Sequence, residues 1–124
     1  MRYKFDEQLE RLNQSLIEMG ALVERSIRLA IDALAKQDTE MAEKVIAFDD
    51  EVDQKETDIE ALCLKLLLQQ QPVARDLRQI SAALRMIADM ERIGDHAVNI
   101  AEWVIFSITG EHHAHGQGEA GSQA

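Results

Sequence analysis

Two carboxylate pairs with the same four-residue spacing, Asp49-x-x-x-Asp53 and Glu91-x-x-x-Asp95, are the parts of this 124-residue sequence best suited to chemistry. On an α-helix, residues four apart lie on one face, about 6 Å from each other. Carboxylate oxygens suit hard and borderline cations. Two such pairs on neighbouring helices could bridge a small cluster of divalent or trivalent ions, with iron, zinc and magnesium as candidates. One pair alone is weak evidence, because the spacing arises by chance in any acidic helix. The same spacing on two helices that pack side by side is stronger. The competing reading is a solvated acidic face, which is what most acidic runs are.

The surroundings of the two pairs sharpen the question. Asp49, Asp53, Glu56 and Glu60 recur at steps of four, three and four, so like charges stack on successive turns. Each such pair costs about 0.2–0.5 kcal/mol unless a cation relieves it. Downstream, Val73, Leu77, Ile80, Leu84 and Ile87 trace an apolar seam whose next position is Glu91. At about 100° per residue, Asp95 and Glu102 fall close to the same line. Either the seam reaches water there, or something cationic sits against it. His96 points roughly 100° away from Asp95 and reads as surface. Cys63 lies in line with Val45 on an apolar seam, where it reads as a buried, inert thiol. Gly94 is a single glycine inside a helical pattern, not part of a phosphate loop. His112, His113 and His115 belong to a segment without apolar periodicity, able at most to pick up metal adventitiously. Nothing in the sequence supports nucleophilic catalysis.

The pairs must be positioned by long helices. From about Phe5 to Lys36, the residues Phe5, Leu9, Leu12, Leu16, Met19, Val23, Ile27, Ala30 and Leu34 form one stripe at three- and four-residue steps. Gly20 interrupts it, as a tolerated interior glycine or a point of close helix approach. Asp38 or Thr39 is the natural cap for a second helix from about Glu40 to Gln70. Its predicted stripe is Met41, Val45, Phe48, Val52, Ile59, Leu62 and Leu66. Pro72 ends that helix and suits the first turn of a third, from about Val73 to Ile108, stopped near Gly110. Two short connections imply an elongated, up-down-up three-helix bundle over residues 1–109, followed by a disordered tail over 110–124.

Composition agrees with an all-α fold. The chain is 46% hydrophobic but only 4% aromatic, with one proline. Its net charge of −10 argues against nucleic-acid binding, which requires a basic surface. A single cysteine and an N-terminus without a signal-peptide core point to the cytoplasm. No apolar run approaches the roughly 18 residues needed to span a bilayer, so any membrane association would be peripheral.

These residues also carry a resemblance. Gln70-Gln71-Pro72-Val73-Ala74-Arg75-Asp76-Leu77-Arg78, followed by Glu91-Arg92-Ile93-Gly94-Asp95-His96-Ala97 and Asn99-Ile100-Ala101, resembles the PhoU family of phosphate-transport regulators. Met1-Arg2 with Phe5, Met19-Gly20-x-x-Val23-Glu24 and Val45-Ile46-x-x-Asp49-x-x-x-Asp53 are also similar to that family, so the likeness covers residues 1 to 108. The resemblance implies a cytoplasmic, non-enzymatic regulator that restrains the phosphate-starvation response by contacting a phosphate ABC transporter and its sensor histidine kinase. It further implies metal clusters on the paired motifs, here Asp49, Asp53, Glu91 and Asp95. Asn99 and Glu102 join that set only by helical geometry. Typical members of the family carry two three-helix repeats, and this chain carries one. It is therefore either a single-repeat relative or part of a longer protein. An isolated repeat would expose apolar surface, so a homodimer or higher oligomer is expected. The rival reading is a metal-storage or redox bundle using the same carboxylates.

Overall fold

Burying the apolar stripes together produces three helices, α1 (Arg2–Lys36), α2 (Thr39–Gln69) and α3 (Ala74–Thr109). The computed structural model describes residues 2–69 and 72–110, and among these only 37–38, 72–73 and 110 lie outside the helices. Each helix packs against both of the others in an up-down-up bundle, as the short connections predict. The tail expected beyond Gly110 lies outside the described residues.

The ends of the helices follow from specific backbone partners. α1 begins at Arg2, ahead of the expected Phe5. It closes in a Schellman motif: Asp38 N–H donates to the Ala33 carbonyl at 3.0 Å and Gln37 N–H to the Leu34 carbonyl at 3.3 Å. Gln37 takes the left-handed conformation, φ 55°, that glycine usually fills at such an end. Asp38, not Thr39, then caps α2, its Oδ1 accepting from Met41 N–H at 3.1 Å. At the other connection, Pro72 precedes α3 without entering it. The carboxylate of buried Asp76 turns back to accept from Val73 N–H at 3.1 Å. α3 ends where Gly110, φ 77°, donates its N–H to the Phe106 carbonyl at 2.8 Å.

The core keeps a stricter repeat than the expected stripes. On α1 the buried line is Phe5, Leu9, Leu12, Met19, Val23, Ser26, Ala30 and Ala33, with half-buried Leu16 in step. Ser26 and Ala33 therefore occupy the core where Ile27 and Leu34 were expected. On α2, Ala42, Val45, Val52, Ile59, Cys63 and Leu66 are buried, and Met41, Phe48 and Leu62 flank them instead of leading. On α3, Asp76, Ile80, Ala83 and Ile87 form the line, while Val73 and Leu77 are exposed. The reason is physical. Steps of three and four that alternate without exception repeat every 3.5 residues, so the helices supercoil left-handedly to keep that seam inward. A stripe drawn on a straight helix drifts off it.

Two clusters fill the core. Large side chains from Phe5 to Val23, Val52 to Leu66 and Ile80 to Ile87 make one. Ala30, Ala33, Ala42, Val45, Ala97, Ala101, Val104 and Ile105 make the other, around the α1–α2 turn. Between the clusters, each helix contributes a small or polar residue to the seam: Ser26, Asp49 and Gly94. Cys63 is buried as expected, and burial, reinforced by Glu60, pushes its thiol pKa up, away from reactivity.

Candidate metal centre

The heptad seam of α2 places two acids where the repeat calls for apolar residues. Counting from Val45 through Val52 to Ile59, the intervening seam positions are Asp49 and Glu56, both half-buried. Asp53 flanks them on the side facing α3. From α3, Glu91 leans into the same groove. One carboxylate oxygen each from Asp53, Glu56 and Glu91 lies within 4.8 Å of the others.

Asp49 sits one turn away toward the alanine-rich end, against Gly94. A Cβ on residue 94 would lie 3.6 Å from Asp49 Oδ1 and 3.7 Å from Val52 Cγ1, ordinary contact distances, so α2 and α3 run close at this level with room for no more than a methyl group. Asp95 is exposed and outside the three-carboxylate group, as is Asn99. Glu102 is buried further along α3 and is likewise not part of that group. Of the residues singled out by spacing, the structure thus brings Asp53 and Glu91 together. It places Asp49 and Asp95 a turn away from them along their own helices. His96 is exposed, in keeping with its reading as a surface residue.

Glu56 completes the group, although neither paired motif contains it. The signal was present in the sequence: Glu56 belongs to the acidic stripe and falls at a seam position between Val52 and Ile59. The four-residue spacing drew attention to its neighbour instead.

The electrostatics of the cluster act in one direction. Burial, the Glu91 carboxylate beside it and a hydrogen bond shared with Glu91 push the Glu56 pKa up to about 7, with Glu60 and Asp53 adding to the effect. Glu56 therefore holds a proton near neutrality and donates it toward Glu91. The basic residues closest in sequence are engaged elsewhere. Lys55 pairs with Glu18 on α1 at 2.8 Å, and Arg92 with Asp89 at 3.6 Å. A donor set made only of carboxylate oxygens, crowded enough to keep one proton, suits a cation of the hard, oxygen-preferring class.

Comparison with known proteins places this geometry in context. A family model described as the PhoU domain matches residues 16–104. A phosphate-specific transport system accessory protein PhoU homolog from Clostridium acetobutylicum is 43% identical over 110 residues, covering 88% of this chain and 50% of the relative. The corresponding homolog from Aquifex aeolicus is 43% identical over 102 residues, covering 82% of this chain and 46% of the relative. The crystal structure of PhoU from Pseudomonas aeruginosa superposes with a TM-score of 0.81 at 37% identity, covering 86% of this chain and 52% of that one. The chain spans about half the length of the curated relatives it matches.

Proposed function

The chain belongs to the PhoU family, and on that footing we propose that it acts as an accessory protein of phosphate transport that restrains phosphate-starvation signalling. It does so in the cytoplasm by contacting the phosphate ABC transporter and its sensor histidine kinase. The observation that carries this reading is the identity, 43% over 88% of the chain, to a protein named for phosphate-specific transport. No helix among the described residues is long and apolar enough to cross a membrane, so the contact with the transporter is made from its surface. Residues 1–109 act as the working unit and 110–124 as an appended tail.

On this reading the α2–α3 groove holds metal ions. Asp53, Glu56 and Glu91 supply the first oxygens, and Asp49 and Asp95, one turn on, extend the set. A bound cation stabilises neighbouring carboxylates in their charged form. Its arrival would release the Glu56 proton and turn repulsion between α2 and α3 into a bridge. The chain's own contribution is the close spacing of the two helices at Gly94 and the half-buried, water-poor setting of Glu56. The metal tunes the rigidity of the surface offered to partners and takes no part in catalysis.

Exposed apolar residues on α1 support self-association. Tyr3, Ile17 and Ile31 lie fourteen residues apart on one line and are each more than half exposed, a pattern that suits a second helix laid along them. On this reading that face seats a homodimer or higher oligomer.

Two measurements test the proposal. Elemental analysis and calorimetric titration should find bound divalent metal in the wild type and its loss in Asp53→Asn/Glu91→Gln. Unchanged metal content would rule out these ligands. A pull-down from phosphate-replete cells should recover the transporter or the kinase, and recovery of neither would overturn the adaptor role.

A further inference from the structure

We propose that the outer face of α3, between Leu77 and Asp89, is a docking surface for an acidic amphipathic helix of a partner protein. This face points away from both α1 and α2. Arg78 and Arg85 stand on it seven residues apart, which sets them about 10.5 Å apart along the helix at nearly the same azimuth. Between them Ser81 and Ala82 are small and exposed, so the floor is low and a shallow depression of about 550 Å³ opens. Leu77, 44% exposed, and Met86, 46% exposed, form its two rims.

The charge pattern selects the occupant. The chain carries 23 acidic residues and a net charge of −10, yet the ion pairs formed among the described residues leave these two arginines out. Arg28 is paired with Glu24, Lys55 with Glu18, and Arg92 with Asp89. Neither Arg78 nor Arg85 has an ion-pair partner among the described residues. Guanidinium groups bind carboxylates through two parallel hydrogen bonds, so an arginine pair spaced by one heptad matches acidic side chains spaced by one heptad on a second helix. Apolar residues beside those acids would lie on Leu77 and Met86. Asp89 closes one end of the face and sets the polarity of the fit. An extended anionic surface, whether a bilayer or a nucleic-acid duplex, would meet that aspartate and the surrounding net negative charge. A single helix carries its few acids only where the arginines stand. The proposal draws on the phosphate-transport reading only for the source of that helix.

The test uses a synthetic peptide probe about 20 residues long, helical by composition, with Glu at every seventh position and Leu beside it. Its counterpart carries Gln in place of Glu. Fluorescence anisotropy at low salt should show the Glu peptide binding the full chain at least about tenfold more tightly than the Gln peptide. R78E/R85E should lose that preference, while K4E/R11E, which changes the net charge equally on α1, should keep it. High salt should narrow the difference. Circular dichroism checks that both variants remain folded. Equal binding of the two peptides would overturn the proposal, as would an equal loss in both double variants. Tighter binding of phosphatidylglycerol vesicles or duplex DNA through the same two arginines would also overturn it. A chain that binds the peptide but recovers neither transporter nor kinase from cells would keep the docking face and lose the adaptor role. The reverse result would lose the face alone.

Discussion

Asp49 rests its carboxylate where the side chain of residue 94 would begin, 3.6 Å from the Cβ that glycine lacks. That distance is ordinary van der Waals contact, so alanine fits without displacing either helix. Gly94→Ala should raise stability by about 0.5–1 kcal/mol through helix propensity alone. A β-branched side chain would press on Asp49 and Val52. Gly94→Val should therefore cost stability and weaken metal binding. Chemical denaturation of the two variants checks both directions, and a neutral Gly94→Val would show that the helices are free to separate there.

Glu56 makes stability depend on pH. Its folded-state pKa of about 7 lies above the ordinary value of 4.5. The stabilising contribution is therefore intact below about pH 4.5, declines as the unfolded chain ionises, and is gone above about pH 7. Glu56→Gln should match the wild type in acid and exceed it by about 1 to 2 kcal/mol in mild alkali. Solvent screening at the half-buried Glu56 keeps the gain to that range. Added divalent cation should narrow the gap by stabilising the wild type. Denaturation series at several pH values give the slope, and parallel curves for the two proteins would contradict it.

The seam around this cluster shows what a sequence conveys. The three helices, their order and their turns were all legible, because each stripe runs for many residues and each break carries a cap or a proline. Asp53 and Glu91 were legible as a cross-helix pair because the four-residue spacing repeats. Ser26 and Ala33 were not, since larger neighbours, Ile27 and Leu34, compete for the inward position. Supercoiling, a property of the packed bundle, decides between them. Glu56 was missed as a member of the site for a related reason: its seam position emerges only once the 3.5-residue repeat is imposed.

Ser26 offers a direct check on that repeat. Its side chain is fully buried, and the hydroxyl oxygen has no hydrogen-bond partner. Removing a buried polar group without a partner should help, so Ser26→Ala should add about 1 kcal/mol, a shift of a few degrees in Tm. Ile27→Ser, on the flank, should cost less than a core position would. If Ile27→Ser costs as much as a polar substitution at buried Val23, or Ser26→Ala destabilises, the seam runs where the simple stripe put it.

Gln37 holds a left-handed backbone at the end of α1, with its own Nε2 donating to the Leu34 carbonyl at 3.1 Å. Glycine removes the steric cost of about 1–2 kcal/mol and loses that weak exposed bond. Gln37→Gly should gain about 0.5–1 kcal/mol in thermal or chemical unfolding. A loss would mean that the side-chain bond sets the turn.

The exposed line on α1 predicts its own behaviour in solution. Ile17→Glu with Ile31→Glu should convert the proposed dimer to a monomer in sedimentation, with helix content unchanged. A wild type that sediments as a monomer at micromolar concentration would remove the basis for that face.

The alanine-rich end beside the α1–α2 turn gives the bundle a taper. Ala30, Ala33, Ala42, Ala97 and Ala101 draw the three backbones together there, while leucine, isoleucine and phenylalanine hold them apart at the far end. Both ends are close-packed, but alanine has no rotamer to rearrange, so an added methyl at the first end has to move a backbone, whereas volume-conserving swaps among the larger side chains of the second can be taken up by repacking. A molecule built this way is stiff at its narrow end and forgiving at its wide one, and the acidic groove lies at the change between them. Sequence drift should accumulate toward the wide end, leaving the narrow end as the fixed point from which the groove takes its width.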